Sequence, residues 1–297
     1  MTATPHPVLL DRFGRVHDYL RISLVDKCNL RCTYCMPEHV RFLPQSQLMT
    51  ADEILALAEI FVELGVRKIR LTGGEPLMRK DFGAIVRRLG ALPVELALST
   101  NAILLHEVLP DLAAAGLRSI NVSLDSLDAS RFKALTLRDQ FQAVQDNLRR
   151  ALAQGIRIKL NVVVMRGVNT DELAAFVALT ASEGIHVRFI EFMPFDGNRW
   201  EWEKVYGLEE ILADLSAHYP IEKLHDDPHS TSRAYRVPGF KGTFAVISTV
   251  TAPFCEGCNR IRLTAEGKLR NCLFAREELD LLTALRAGTD VRALIHA

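Results

Sequence analysis

The 297-residue chain has no apolar run near the roughly 20 residues that cross a bilayer, so no membrane-spanning helix is expected. Its opening residues, Met-Thr-Ala-Thr-Pro-His-Pro, lack the basic stretch and apolar segment of a secretory signal, which points to a cytoplasmic protein. Neither charge sign is in excess, since 36 Lys and Arg balance 36 Asp and Glu. Gripping nucleic acid across a broad face normally takes a basic surplus, so that class is disfavoured, whereas a small anion needs only a few local cations. Short-period repeats and low-complexity tracts are also missing. Cysteine is scarce, at 6 residues, and in a reducing compartment these do not build a disulfide framework. With 48% hydrophobic and 24% charged residues, the chain has enough apolar material for one large α/β domain and a small appendage.

Six stretches read as strands: about Leu20–Val25, Lys68–Thr72, Val94–Thr100, Ser119–Asp125, Ile156–Met165 and Val187–Met193. Amphipathic helical stretches lie between them. The clearest opens with a capping box, Thr50 and Glu53, and continues with Ile54, Leu57, Ala58 and Phe61 at helical spacing. Others are Phe82–Leu89, Leu104–Ala115, Gln142–Ala153 and Asp171–Ser182, the last with Asn169 as its expected N-cap. Strand and helix alternating through six units imply a parallel sheet, open or barrel-like.

Parity within the strands favours the barrel. Arg21 and Ser23, Lys68, Arg70 and Thr72, then Glu95, Ser99 and Asn101 each share one face of their strand. So do Asn121, Ser123 and Asp125, and then Arg157, Lys159 and Asn161. A strand covered on both faces is continuously apolar, so polar faces on five strands imply a lined cavity, unless the sheet is one-sided and half-exposed. The fold expected is therefore an α/β, incomplete (βα)6 TIM-like barrel over residues 1–205, with a small C-terminal extension over 206–297 covering one mouth. Within it, Phe195–Trp202 reads as a loop, Leu208–Tyr219 as a helix, and His225–Ser232 as a polar, mobile loop.

The cysteines fall into two trios. Cys28, Cys32 and Cys35 form a CxxxCxxC pattern just past the first strand, at the end of the sheet where such folds build their sites. Three thiolates satisfy three irons of a [4Fe–4S] cluster and leave the fourth iron open, whereas structural zinc wants a fourth ligand, for which His39 is the nearest histidine. Cys255, Cys258 and Cys272 form the second trio, again suggesting a cluster with an open iron, or else a zinc site or buried structural thiols. Thr72-Gly73-Gly74-Glu75-Pro76 ends the second strand, where glycines allow close backbone approach to a ligand and Pro76 shapes the exit.

CxxxCxxC with Tyr34 before its last cysteine, followed one β/α unit later by Gly-Gly-Glu-Pro, resembles the signature of the radical S-adenosylmethionine superfamily. The run Phe254-Cys255-Glu256-Gly257-Cys258-Asn259-Arg260-Ile261-Arg262, with Asn271-Cys272-Leu273-Phe274 beyond, is similar to one branch of it, the GTP 3′,8-cyclase family of molybdenum cofactor biosynthesis. The likeness runs from Leu10 to about Arg286. It implies a lyase with two [4Fe–4S] clusters, one on Cys28, Cys32 and Cys35 with S-adenosylmethionine, the other on Cys255, Cys258 and Cys272 facing GTP. It places cofactor contacts on Tyr34, Gly74, Ser123 and Met193, and GTP contacts on Arg21, Arg70, Ser99, Lys159, Arg260 and Arg262. Ser99 stands where the family commonly has Thr, which keeps the hydroxyl.

The activity implied is removal of the ribose 3′ hydrogen by a 5′-deoxyadenosyl radical and attack of the new carbon radical on guanine C8, giving 3′,8-cyclo-7,8-dihydro-GTP. No side chain is assigned as acid or base. The partners implied are an electron donor such as flavodoxin or ferredoxin, cyclic pyranopterin monophosphate synthase at the next step, and a second copy in a homodimer. The family usually continues to a Gly-Gly tail that enters the substrate pocket, whereas here the last glycine is Gly288, so efficient cyclisation is the expectation left in doubt. Two other readings remain open from the residues. One is a radical enzyme with an auxiliary cluster acting on a peptide. The other is a non-catalytic, zinc-stabilised nucleotide-binding protein.

Overall fold

The computed structural model describes residues 8–36, 39–195, 198, 200–275 and 277–296. The N-terminal heptapeptide, Asp196, Gly197 and Arg199 of the expected loop, and Ala297 of the chain end lie outside the described residues. The first half alternates strand and helix: β1 (Tyr19–Ser23), α1 (Ala51–Glu63), β2 (Lys68–Thr72), α2 (Phe82–Gly90), β3 (Glu95–Thr100), α3 (Leu105–Ala114) and β4 (Ser119–Ser123). Two helices, α4 (Ala129–Thr136) and α5 (Phe141–Ala153), then precede β5 (Arg157–Val164), α6 (Leu173–Ser182), β6 (His186–Glu191) and α7 (Leu208–His218). The remainder is β7 (Glu222–Lys223), β8 (Arg233–Arg236), β9 (Thr243–Ile247), β10 (Arg260–Leu263), β11 (Lys268–Arg270), β12 (Leu279–Asp280), α8 (Leu281–Arg286) and α9 (Val291–His296). No helix among the described residues is long and apolar enough to cross a membrane.

Local chemistry explains the main elements. The Thr50 hydroxyl accepts from the Glu53 amide at 3.2 Å and the Glu53 carboxylate from the Thr50 amide at 2.7 Å, so the capping box starts α1 as expected. Ile54, Leu57, Ala58 and Phe61 then point into the core. Helix α4 is absent from the sequence reading because only Phe132, Leu135 and Thr136 of its eight residues are buried, too few to show a period.

The strands form one sheet in the order β12-β11-β10-β1-β2-β3-β4-β5-β6-β9-β8-β7, which does not close. From β10 to β9 every neighbour is parallel, so the incomplete (βα)6 barrel has one further parallel strand on each flank. Residues beyond 206 reach both edges of the sheet, β9 beside β6 and β10 beside β1. An open parallel edge exposes unpaired N–H and C=O groups, and these strands satisfy them.

Asn169 does not cap α6. Its side-chain amide donates to the carbonyls of Asp125 and Val163 at 2.8 and 2.9 Å and accepts from the Met165 amide, because three buried backbone groups there lack ladder partners. The His225–Ser232 segment, expected to be mobile, is tied down: the His229 ring meets the Gly257 carbonyl at 3.0 Å.

Glu191, at the end of β6 and fully buried, accepts from the amides of Leu208, Val250 and Thr251 and from the Thr251 hydroxyl. It staples the start of α7 and the turn after β9 to the sheet. Glu191→Ala leaves several buried donors unpaired and is expected to cost about 3 kcal/mol or more, read as a lower chemical-denaturation midpoint. A midpoint equal to that of the parent protein contradicts this role.

Candidate active site

The chain leaves β1 and turns back over the mouth of the barrel, carrying Cys28, Cys32 and Cys35. This loop is held from below. Asn101 donates to Asn29 at 2.7 Å and approaches the Cys28 sulfur at 3.9 Å, and the Leu30 amide points at that sulfur from 3.4 Å. The amides of Arg31 and Thr33 donate to the carbonyls of Thr136 and Leu135 at the end of α4, both at 2.9 Å. The Tyr34 hydroxyl donates to buried Asp125, whose other oxygen accepts from the Val163 amide at 2.8 Å. Burial, then the neighbouring charges of Asp125, Cys35 and Cys28, push the Cys32 thiol well above its ordinary range. Three thiols on one short loop stay ionised only beside a positive centre, a role that iron can fill. Among the described residues no three His, Cys, Asp or Glu side chains converge tightly enough for a single metal ion. A cubane makes no such demand, since each thiolate binds a different iron.

The Gly73-Gly74-Glu75 turn lies against the same loop. The Gly74 amide donates to the Val25 carbonyl at 2.8 Å and the Glu75 amide to that of Lys27 at 2.7 Å. The buried Glu75 carboxylate accepts from Thr100, Leu77 and Asn101, tying the turn to β3.

Below the mouth is a cavity of about 480 Å³, within the usual size of a small-molecule site. Its wall includes Tyr34 and Met193, Cys255, Cys258 and Cys272, and Arg21, Arg70, Ser99, Arg260 and Arg262. Phe195 and Phe274, both half-exposed, stack at its rim with ring centres 6.3 Å apart. Parallel pairing explains the floor: β10, β1 and β2 stand in register with Arg262, Arg21 and Arg70 in one row. Loss of water, then the neighbouring charge of Arg262, lowers the Arg21 guanidinium to about 9. Cations this close raise one another's energy unless an anion joins them. Arg188 Nε and Nη2, Arg260 Nη1 and Arg262 Nε are buried without a partner among the described residues, and all three side chains line the cavity. Buried donors are rarely left unpaired, so this floor is built for an anion with many oxygens.

Not every expected residue lies in this wall. Ser123, which is exposed, and Gly74, which is half-buried, lie outside the cavity lining. Lys159 also falls outside it, one step down β5 from the lining residue Asn161 and beside His186. Lys68 is spent in an ion pair with Glu95 at 2.7 Å, at the far end of its strand. His39 is exposed. Sequence reasoning missed Arg188, Tyr19, Thr231 and Arg15. Arg188 had a signal, since His186 and Arg188 alternate with Val187 and Phe189 on β6. Tyr19 lies one residue before the expected start of its strand, and its hydroxyl accepts from Arg70. Thr231 accepts from Arg260 at 3.2 Å.

Burial, then Arg188, Lys68 and Arg70, lower the Lys159 ammonium to about 8. A bound polyanion favours its charged form, so above about pH 8 binding must take up a proton. Polyanion affinity is therefore expected to fall as pH rises through that value, and Lys159→Arg to flatten the fall. Calorimetric titrations at neutral and alkaline pH check this; a slope that survives in Lys159→Arg assigns the proton elsewhere.

Residues 22–180 match the Radical SAM superfamily and residues 185–297 match Molybdenum Cofactor Synthesis C. The chain is 45% identical over 299 residues to GTP 3′,8-cyclase of Listeria monocytogenes, covering 97% of this chain and 89% of that protein. It is 47% identical to molybdenum cofactor biosynthesis protein 1 of Mus musculus over 97% of this chain, but spans only 46% of that longer protein. Streptococcus suis SuiB bound to S-adenosylmethionine shares the fold, with TM-score 0.67 at 14% identity over 97% of this chain and 68% of that one. Both segments are matched and near-half identity extends from end to end, so the chain belongs to the GTP 3′,8-cyclase family within the radical S-adenosylmethionine superfamily.

Proposed function

We propose that the chain cyclises GTP to 3′,8-cyclo-7,8-dihydro-GTP, with the nucleotide held in the cavity between two cysteine trios that each carry a [4Fe–4S] cluster. One observation carries this reading: Tyr34, inside the first trio's motif, lines the same cationic cavity as all three cysteines of the second. Membership of the superfamily brings one [4Fe–4S] cluster and S-adenosylmethionine, and the three-cysteine loop on β1 suits them. Cys28, Cys32 and Cys35 hold the first cluster, with Tyr34, Gly74, Ser123 and Met193 around the cofactor. Cys255, Cys258 and Cys272 hold the second. When bound, the first cluster and S-adenosylmethionine supply the carbon radical that takes hydrogen from the ribose.

The chain's own residues bind, orient and shield. Arg21, Arg70, Arg188, Arg260 and Arg262 offer forked donors to the triphosphate, and Lys159 adds a point charge beneath. With the phosphates on the floor, the ribose faces the first trio and the base faces the second. Phe195 and Phe274 narrow the rim and limit water entry, which protects a reactive radical. A flavodoxin- or ferredoxin-type reductant, a homodimer, a cytoplasmic location and delivery to cyclic pyranopterin monophosphate synthase belong to the same proposal.

Anaerobic incubation with GTP, S-adenosylmethionine and dithionite tests it. Deoxyadenosine and a cyclised guanosine triphosphate are expected together; deoxyadenosine alone would refute the cyclase reading. Anaerobically purified protein should carry about eight irons per chain, and zinc in their place is the contrary result.

A further inference from the structure

The N-terminal hairpin reaches the second trio from the other end of the chain. Leu10 and Val16 pair across a turn in which Asp11 Oδ1 accepts from the amides of Phe13 and Arg15, at 2.9 and 3.0 Å. Asp11 Oδ2 takes Arg15 Nε at 2.7 Å and meets His17 Nε2 at 3.2 Å. Against the burial that would raise it, Arg15, His17 and Phe13 hold the Asp11 carboxyl well below the usual range. The Arg15 guanidinium is thereby aimed, and its Nη1 donates to the Cys255 carbonyl at 2.8 Å, across 240 residues of sequence. A second tie lies four residues on: Asn259 donates to Asp18 at 2.7 Å and receives the Tyr19 amide on its carbonyl at 3.3 Å. The Cys255–Asn259 segment is thus clamped at both ends by residues 15–19. Only the Arg15 end brings a guanidinium, itself ion-paired to Asp11, onto the segment that carries the thiols, and that side chain also lines the cavity.

We propose that Arg15, aimed by Asp11, is a positioning residue for the second cluster that holds the Cys255 peptide in place and raises the cluster's reduction potential. This rests on the two-cluster reading above. A cluster's potential follows the net charge and hydrogen bonds around its sulfurs, and a fixed cation favours the reduced, more negative state. Lysine keeps the charge but not the fork that joins Asp11 to Cys255, so charge and geometry can be separated.

The test is a potentiometric titration followed by electron paramagnetic resonance, in the full chain with Cys28, Cys32 and Cys35 changed to Ala so that only the second cluster reports. Arg15→Gln is expected to shift the one-electron equilibrium at least tenfold toward the oxidised form, a fall of about 59 mV in midpoint. Arg15→Lys should retain most of the parent midpoint. If Arg15→Gln fails to hold iron, Arg15→Lys decides, and a midpoint near that of the parent supports the proposal. A midpoint for Arg15→Gln within about twofold of the parent equilibrium, or equal falls for Gln and Lys, overturns it. Should the parent with the first trio removed hold no iron at all, the two-cluster reading fails first, and this inference with it.

Discussion

Gly74→Ala is expected to abolish reductive cleavage of S-adenosylmethionine in a protein that still folds. A Cβ at this position would stand 2.4 Å from the carbonyl oxygens of both Asp26 and Lys27. Both obstacles are backbone, so neither yields as a flexible side-chain tip would. The two segments are already laced by the Gly74–Val25 and Glu75–Lys27 hydrogen bonds, so relief must come from moving the loop that leads into Cys28. Displacing a reacting group by about 1 Å costs on the order of 100-fold in rate, and a loss of deoxyadenosine formation at least that large is expected. Gly184→Ala is the control, because its added methyl meets nothing within 4 Å and its backbone has no left-handed strain. Deoxyadenosine release, iron per chain and circular dichroism for the two variants settle the point. A Gly74→Ala protein that cleaves the cofactor at the parent rate removes this turn from the site.

Arg188→Met is expected to move function and stability in opposite directions. Burial, then the charge of Arg70, lowers this guanidinium to about 10, so it is still charged at neutral pH, and its Nε and Nη2 have no partner among the described residues. Such a group burdens the empty protein and is satisfied only when an anion arrives. Truncating one side of a buried charge pair costs roughly 2–5 kcal/mol, which corresponds to a rise in GTP KM of about 30-fold to several thousand-fold. Without nucleotide the same change removes an unpaired buried charge, so the Tm of the variant should equal or exceed that of the parent. Steady-state kinetics and a thermal melt read the two arms separately. An unchanged KM would remove Arg188 from the triphosphate floor, while a lower Tm would make it a structural residue instead.

The pattern of particular residues shows where sequence reasoning ends. Arg21, Arg70, Ser99, Asn121 and Asn161 were placed on one face of their strands by period-two alternation, and all five line the cavity. The same alternation also put Lys68, Asn101 and Asp125 on that face. There they serve as an ion pair, a tether for the loop that carries Cys28 and an anchor for Tyr34. Parity reports the side of a strand, and depth along the barrel decides what that side meets. Strands β7, β8 and β10 to β12 run for two to four residues, too short to show a period, and β9 is apolar without alternation after Thr243, so they escaped notice.

What the chain declares by itself is therefore local: six β/α units, two sulfur trios at ligand spacing, and cations alternating with aliphatic residues. Folding alone decided that β10 would lie beside β1 and β9 beside β6. That choice brings Cys255, Cys258 and Cys272 to the cavity that Tyr34 also lines and aligns Arg262 with Arg21. The physical reason is that alternation is set by neighbouring residues through backbone geometry, whereas pairing across some 240 positions is chosen by which open sheet edges need hydrogen-bond partners. No local pattern encodes that competition.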